Sequence, residues 1–210
     1  MSKYFLYPQK PKQIFDVNLV PDNYNVQIKK NGWRTEIETS NNQVKLYSRE
    51  GSKLSRGNEN NFNFIKDVFP QPFSLDGELL GTRQTGNNLN CIVIWDVPIL
   101  NSEDLTKLRY IDRYNKLLKF VNKKINFIND DKKFGTYLID EYKGFGIYLC
   151  INYKKEEWIK LWDKIIDEHN TKISKLAINE GLVFKNPNAD NLWSTSKTIE
   201  HINQLKLKVE

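Results

Sequence analysis

Short strand-forming runs, broken by only two long helical stripes, dominate this 210-residue chain. Alternating or continuously apolar runs occur at Val26–Lys29, Arg34–Glu38, Gln43–Ser48, Cys91–Val97, Thr136–Ile139, Ile147–Asn152, Leu182–Lys185 and Leu205–Val209. Runs of this length and β-branched content fit a pleated, partly buried surface. Asn41-Asn42 separates two of them, and asparagine tolerates the left-handed backbone of a tight hairpin. Helical spacing takes over at Leu105, Leu108, Ile111, Leu118 and Val121, with Ser102 placed to cap the helix. A clearer stripe is Trp158, Leu161, Trp162, Ile165 and Ile166, which reads as core packing. A shorter helix is expected over Asn61–Phe69, ended by Pro70. Strands before, between and after helices predict an α+β fold with antiparallel sheets. No internal repeat or long low-complexity linker divides the chain, so residues 1–210 read as one continuous domain.

Composition narrows the partners. Hydrophobic residues make up 39% and aromatics 12%, enough for a packed core rather than a disordered chain. A formal charge of +6 and a pI near 9.1 favour a polyanion such as nucleic acid or ATP, although 26 acidic residues are interspersed with 32 basic ones. Cys91 and Cys150 both lie in apolar runs, which argues against a disulfide framework and for a reducing cytoplasm. Met1 to Tyr7 lacks the long apolar core of a signal peptide, and no run reaches membrane-spanning length, so no membrane partner is expected.

The residues able to carry chemistry fall in six short blocks. In order these are Lys29-Lys30-Asn31-Gly32-Trp33-Arg34, Ser48-Arg49-Glu50-Gly51, Leu75-Asp76-Gly77-Glu78, Ile94-Trp95-Asp96, Glu180-Gly181-Leu182-Val183-Phe184-Lys185 and Gln204-Leu205-Lys206-Leu207-Lys208. Lys206 and Lys208 alternate on a predicted strand and so share a face. Arg34 presents a fork suited to phosphate or ribose oxygens. Trp95 offers a flat face for stacking, and Glu78 and Glu180 offer oxygen donors for a hard cation. Plainer readings stand beside these. The first block alone is a basic β-turn, Asp76-Gly77 is an ordinary turn dipeptide, Trp95 is nearly as well explained as core, and lysines on a strand edge discourage aggregation.

The six blocks in this order resemble those of the covalent nucleotidyltransferases, the superfamily of ATP-dependent DNA and RNA ligases and mRNA-capping enzymes. The resemblance runs from about Lys29 to Lys208. It implies two antiparallel β-sheets flanked by helices, with the nucleotide between them. It also implies that Lys29 takes AMP from ATP as a phosphoramide and passes it to a 5′-phosphate, after which a 3′-hydroxyl displaces AMP. Lys206 and Lys208 would meet the α-phosphate and help keep Lys29 neutral. Arg34, Arg49, Glu78, Trp95 and Lys185 would bind nucleotide or a strand end, while Glu78 and Glu180 would hold Mg²⁺ (or Mn²⁺) or its waters. Asp96 would accept from backbone or from Arg113. The partner would be nucleic acid, as a nicked duplex or RNA ends.

Two departures shape the expectation. Asn31 stands where many relatives have aspartate. Glu210 closely follows Lys208, so the sequence leaves no place for a C-terminal oligonucleotide-binding-fold domain, and a separate protein supplying a clamp domain is a candidate partner. The varied C-terminal parts of RNA ligases tilt the substrate toward RNA, whereas Leu75-Asp76-Gly77-Glu78 looks more like DNA ligases. The alternatives are an ATP-dependent DNA ligase core, a GTP-using capping guanylyltransferase, and a non-catalytic nucleic-acid-binding relative.

Overall fold

In the computed structural model the strand-forming runs pair into two main sheets whose inner faces share one cavity. Residues 6–54, 62–81, 91–122, 135–171, 178–190, 192–195, 197 and 200–209 are described. The strands are, in chain order, β1 (Tyr7–Pro8), β2 (Lys10–Gln13), β3 (Asn25–Lys30), β4 (Trp33–Ser40), β5 (Gln43–Ser48), β6 (Phe73–Leu80) and β7 (Cys91–Leu100). They continue with β8 (Glu103–Asp104), β9 (Thr136–Tyr142), β10 (Phe145–Cys150), β11 (Tyr153–Lys154), β12 (Asn179–Lys185), β13 (Trp193–Ser194) and β14 (Glu200–Lys208). The helices are α1 (Ile65–Val68), α2 (Tyr110–Asn122) and α3 (Trp158–Thr171).

The larger sheet runs β5-β4-β6-β7-β10-β9, with β8 added to β7, and the smaller runs β11-β3-β12-β14-β2. Each is mainly antiparallel and holds one parallel pairing, β7 with β10 and β2 with β14. Strand alternation sorts the side chains. Ile37, Leu75, Leu79, Ile92 and Ile94 join the core that α2 seals with Tyr110, Tyr114, Leu117 and Val121. In the smaller sheet Val26, Ile28, Leu182, Phe184 and Leu205 pack with Leu161 and Ile165 of α3, as that helix's stripe predicts. The alternate residues of both sheets, rich in lysine, arginine and glutamate, line the cavity.

Asn41 (φ 52°) and Asn42 (φ 59°) make the expected left-handed hairpin turn between β4 and β5. Asn101 (φ 53°) and Ser102 (φ 65°) repeat that geometry between β7 and β8. Ser102 is therefore a turn residue and not a helix cap, and α2 starts at Tyr110. Leu105 is buried in the connection before the helix. The buried stripe is Tyr110, Tyr114, Leu117 and Val121, of which Val121 was expected, while Leu108 and Leu118 pack against the same core partly buried. Of the short helix expected over Asn61–Phe69, Ile65–Val68 forms, while Asn61 lies outside the described residues.

The largest difference is β6. Asp76-Gly77 is no turn: it lies inside an eight-residue strand that is buried throughout, and Glu78 sits within that strand rather than at its start. Both cysteines are buried, and neither forms a disulfide. No helix among the described residues is long and apolar enough to cross a membrane.

Candidate active site

Lys29 reaches the cavity from β3 because its neighbours Ile28 and Lys30 turn the other way, Ile28 into the core and Lys30 onto Asn179. Its ammonium meets Glu180 Oε1, and Lys208 Nζ lies 3.3 Å from Glu180 Oε2. The pairing depends on a bulge. Asn179 pairs with Lys30 and Gly181 with Lys29, leaving Glu180 as the extra residue that β12 turns toward the cavity. Gly181 sits between Lys29 and Lys208 on the flanking strands with φ +148°, and a Cβ there would lie 2.0 Å from the Leu207 carbonyl. Only glycine fits that position. Burial alone would raise the Glu180 carboxyl, but the Lys29 and Lys208 ammoniums outweigh it and hold it below the usual range.

The opposite wall comes from the larger sheet. Glu78 is buried and accepts a 2.9 Å hydrogen bond from the Gly32 backbone N–H. Burial pushes this carboxyl up to about 7, against the pull of the Lys29 ammonium, the Gly32 bond and Arg34. A Cβ on Gly32 would come within 2.5 Å of the Leu79 carbonyl, so this glycine permits the turn to close onto β6. Arg34 spends its fork on Asp76, with Nε–Oδ1 at 3.0 Å and Nη2–Oδ2 at 2.7 Å, and also donates to the Gln9 carbonyl. Its guanidinium carbon stands 5.9 Å from the centre of the Trp95 ring.

Trp95 is half-buried on the inner face of β7, between Arg34 and the ammonium of Lys185, which lies 5.8 Å from the ring centre. Lys185 is itself buried, and burial lowers it to about 8 although Asp96 and Asp76 pull the other way. Behind Trp95, Asp96 accepts from the Val97 N–H and takes a bidentate pair from Arg113 of α2 at 2.9 and 2.8 Å. Lys206 is lowered by burial and then by its neighbours Lys10, Lys208 and Lys29. Arg49 is on the exposed turn after β5, where it pairs with Glu50 at 2.9 Å.

All nine residues singled out in the sequence line this one cavity of about 410 Å³: Lys29, Arg34, Arg49, Glu78, Trp95, Glu180, Lys185, Lys206 and Lys208. Sequence reasoning missed Gln27 and Lys10, which also line it. Gln27 is two residues before Lys29 and shares its face, so strand alternation was the available clue. It is 2% exposed, and its Nε2 has no hydrogen-bond partner. Lys10 lies in a short Pro-containing strand that carries no apolar pattern. Two carboxylates on one cavity suit a hydrated magnesium ion, which is commonly held by one or two carboxylates. Among the described residues no group of three or more potential metal-ligating side chains forms.

The α+β fold with two facing sheets, which sets a bulge-positioned carboxylate on a strand lysine and a tryptophan on the opposite wall, is the fold of solved ligase domains. Residues 10–90 match the family model for the ATP dependent DNA ligase domain. The fold is shared with the ligase domain of M. tuberculosis LigD at TM-score 0.61 and 15% identity, over 97% of this chain and 59% of that one. It is shared with Chlorella virus DNA ligase-adenylate at TM-score 0.60 and 13% identity, over 96% and 66%. A Lig E DNA ligase matches at TM-score 0.56 and 15% identity, over 96% and 68%. The chain thus spans about three fifths of the length of the mycobacterial ligase domain. No curated protein matches it in sequence. Residues 10–90 thus carry the match to the ATP dependent DNA ligase domain, and the chain as a whole shares the fold of these ligase structures.

Proposed function

We propose that this protein is an ATP-dependent polynucleotide ligase that works through a lysyl-AMP intermediate on Lys29. The observation that carries the reading is the convergence of Lys29, Glu180, Trp95 and the Lys206–Lys208 face on one cavity. A purine slides against Trp95, flanked by two cations, with the unpartnered Gln27 amide available to its edge. The α-phosphate then meets Lys29, Lys206 and Lys208. Lys29 must first exchange its contact with Glu180 and release a proton to solvent. Its nitrogen attacks the α-phosphorus, a P–N bond forms, and the bond from that phosphorus to the bridging oxygen breaks. Pyrophosphate leaves with the electron pair. Bound magnesium, for which Glu78 and Glu180 are the available donors, would screen the polyphosphate charge. The remaining work is placement of charge, which is the dominant demand of phosphoryl transfer.

Sealing takes two further displacements. A 5′-phosphate oxygen attacks the phosphorus of the Lys29 adduct, the P–N bond breaks, and the lysine nitrogen leaves with the electron pair and takes up a proton. A 3′-hydroxyl oxygen then attacks the 5′-phosphorus, gives up its proton, and AMP leaves as the phosphodiester forms. The sequence tilted toward RNA, but the match over residues 10–90 spans Lys29, Arg34, Arg49 and Glu78 and supports DNA. The basic walls grip backbone phosphates without reading bases. The test is sealing of a 5′-phosphorylated nick in an all-DNA duplex and in one with RNA at the nick, with ATP and Mg²⁺. Joining of the DNA nick is expected. RNA-only joining would restore the RNA assignment, and failure to seal even a preadenylated nick of either kind would overturn the ligase reading.

A further inference from the structure

The segment that carries β1 and β2 crosses from one sheet to the other at the mouth of the cavity. The Gln9 carbonyl accepts from Arg34 of the larger sheet, and the Ile14 N–H donates to the Lys206 carbonyl of the smaller one at 2.9 Å. Between these anchors Lys10 and Pro11 line the cavity. The parallel register of β2 with β14 sets Lys10 opposite Glu200 and Gln13 opposite Lys206, so Lys10 lies on the strand next to the one that carries Lys206 and Lys208. Among the described residues neither Lys10 nor Lys206 is ion-paired with a carboxylate, whereas Lys29 and Lys208 share Glu180. The cationic charge at this end of the cavity is therefore in excess, and Lys10 acts on Lys206 to lower its proton affinity. Glu200 opposes this repulsion only in part, since Lys206 stays lowered, and a bound anion would relieve the rest.

We propose that Lys10, next to Lys206 on the α-phosphate side, forms a polyphosphate subsite that seats the β- and γ-phosphates of ATP and holds the departing pyrophosphate. This rests on reading the cavity as a nucleotide site. Cations at the leaving group stabilise the charge that develops there, which makes Lys10 a binding residue for the first step alone. Once AMP is on Lys29 the subsite has no further part. A backbone phosphate of nucleic acid carries the same chemistry, and the experiment separates the two sources.

The 210-residue protein is titrated calorimetrically with inorganic pyrophosphate, with AMP and with a nicked DNA duplex, in wild type, Lys10→Ala, Lys10→Gln and Lys12→Ala. Lys12 is an exposed lysine of the same strand that does not line the cavity. Loss of one charge-assisted contact should weaken pyrophosphate binding about tenfold in both Lys10 variants and leave AMP binding unchanged. Lys12→Ala should match wild type. Adduct formation from ATP should slow in the Lys10 variants while sealing of a preadenylated nick proceeds at the wild-type rate. Unchanged pyrophosphate affinity in folded Lys10 variants overturns the subsite and leaves the ligase reading intact. Weaker duplex binding with unchanged pyrophosphate affinity assigns Lys10 to nucleic acid and also overturns it. A wild-type protein that binds neither pyrophosphate nor ATP removes the nucleotide reading and the subsite together.

Discussion

Lys29 and Glu180 meet across adjacent strands because a bulge in β12 gives Glu180 no partner residue on β3 and turns it onto the lysine. The same carboxylate reaches Lys208 on the far side, so one acid ties together three strands of the smaller sheet. Gly181 makes this possible. Gly181→Ala would set a Cβ 2.0 Å from the Leu207 carbonyl at a φ of +148°. We expect a loss of about 2 kcal/mol or more in unfolding free energy, measured in urea, together with slower adduct formation. An alanine variant as stable and active as wild type would mean that the bulge is not needed.

Glu78 should make stability depend on pH. Its folded-state pKa, about 7, lies above its ordinary 4.5, so the folded protein binds this proton more tightly than the unfolded chain does. The associated stability is complete below about 4.5 and is lost as pH rises through about 7. Glu78→Gln removes that loss and keeps an acceptor for Gly32. Above pH 8 the variant should exceed wild type by on the order of 3 kcal/mol, with the difference vanishing near pH 4. Parallel denaturation curves across this range check it, and a constant difference would contradict it.

The Asp96–Arg113 pair fastens β7 to α2 behind Trp95, with Arg113 fully buried. Removing one partner strands a charge in the core. Arg113→Ala should cost about 3–5 kcal/mol, and Arg113→Lys should recover little because it cannot make the bidentate contact. The double variant Asp96→Leu/Arg113→Met should be more stable than either single change, as thermal melting would show.

Trp95 is the proposed base platform. Trp95→Ala should raise the dissociation constant for ATP about tenfold, and Trp95→Phe should retain most of the affinity. Equal binding by the alanine variant in calorimetry would return Trp95 to a packing role.

What the sequence revealed, and what it hid, follows from how each residue is held. The strands around Lys29 and Lys206 were legible because an apolar face alternates with a polar one, and β7 around Trp95 because its run is apolar almost throughout. β6 was not, because its inner face carries Ser74, Asp76 and Glu78 around a glycine, a pattern that imitates a turn. Asp76 is answered inside by the Arg34 fork of β4 and Glu78 by the Gly32 N–H of the preceding turn, while Ser74 donates to Glu36 of β4. The Arg34–Asp76 pair spans 42 positions in sequence, and nothing local announces it. The start of α2 was misplaced because Asn101-Ser102 is a hairpin turn whose residues double as good caps. The ordered blocks nonetheless located both walls of the cavity, since most of them place a charged residue on a strand whose opposite face is core, with Arg49 on the turn after β5.

The central claim is that Lys29 carries the nucleotide. The most direct measurement is incubation of the protein with Mg²⁺ and α-labelled ATP or GTP, followed by denaturation and mapping of any labelled peptide, with Lys29→Ala alongside. An acid-labile, base-stable phosphoramide from ATP alone, mapped to Lys29 and lost in the variant, is the predicted result. A label from GTP instead, a label on another residue, or no label from a protein that binds ATP would contradict the account.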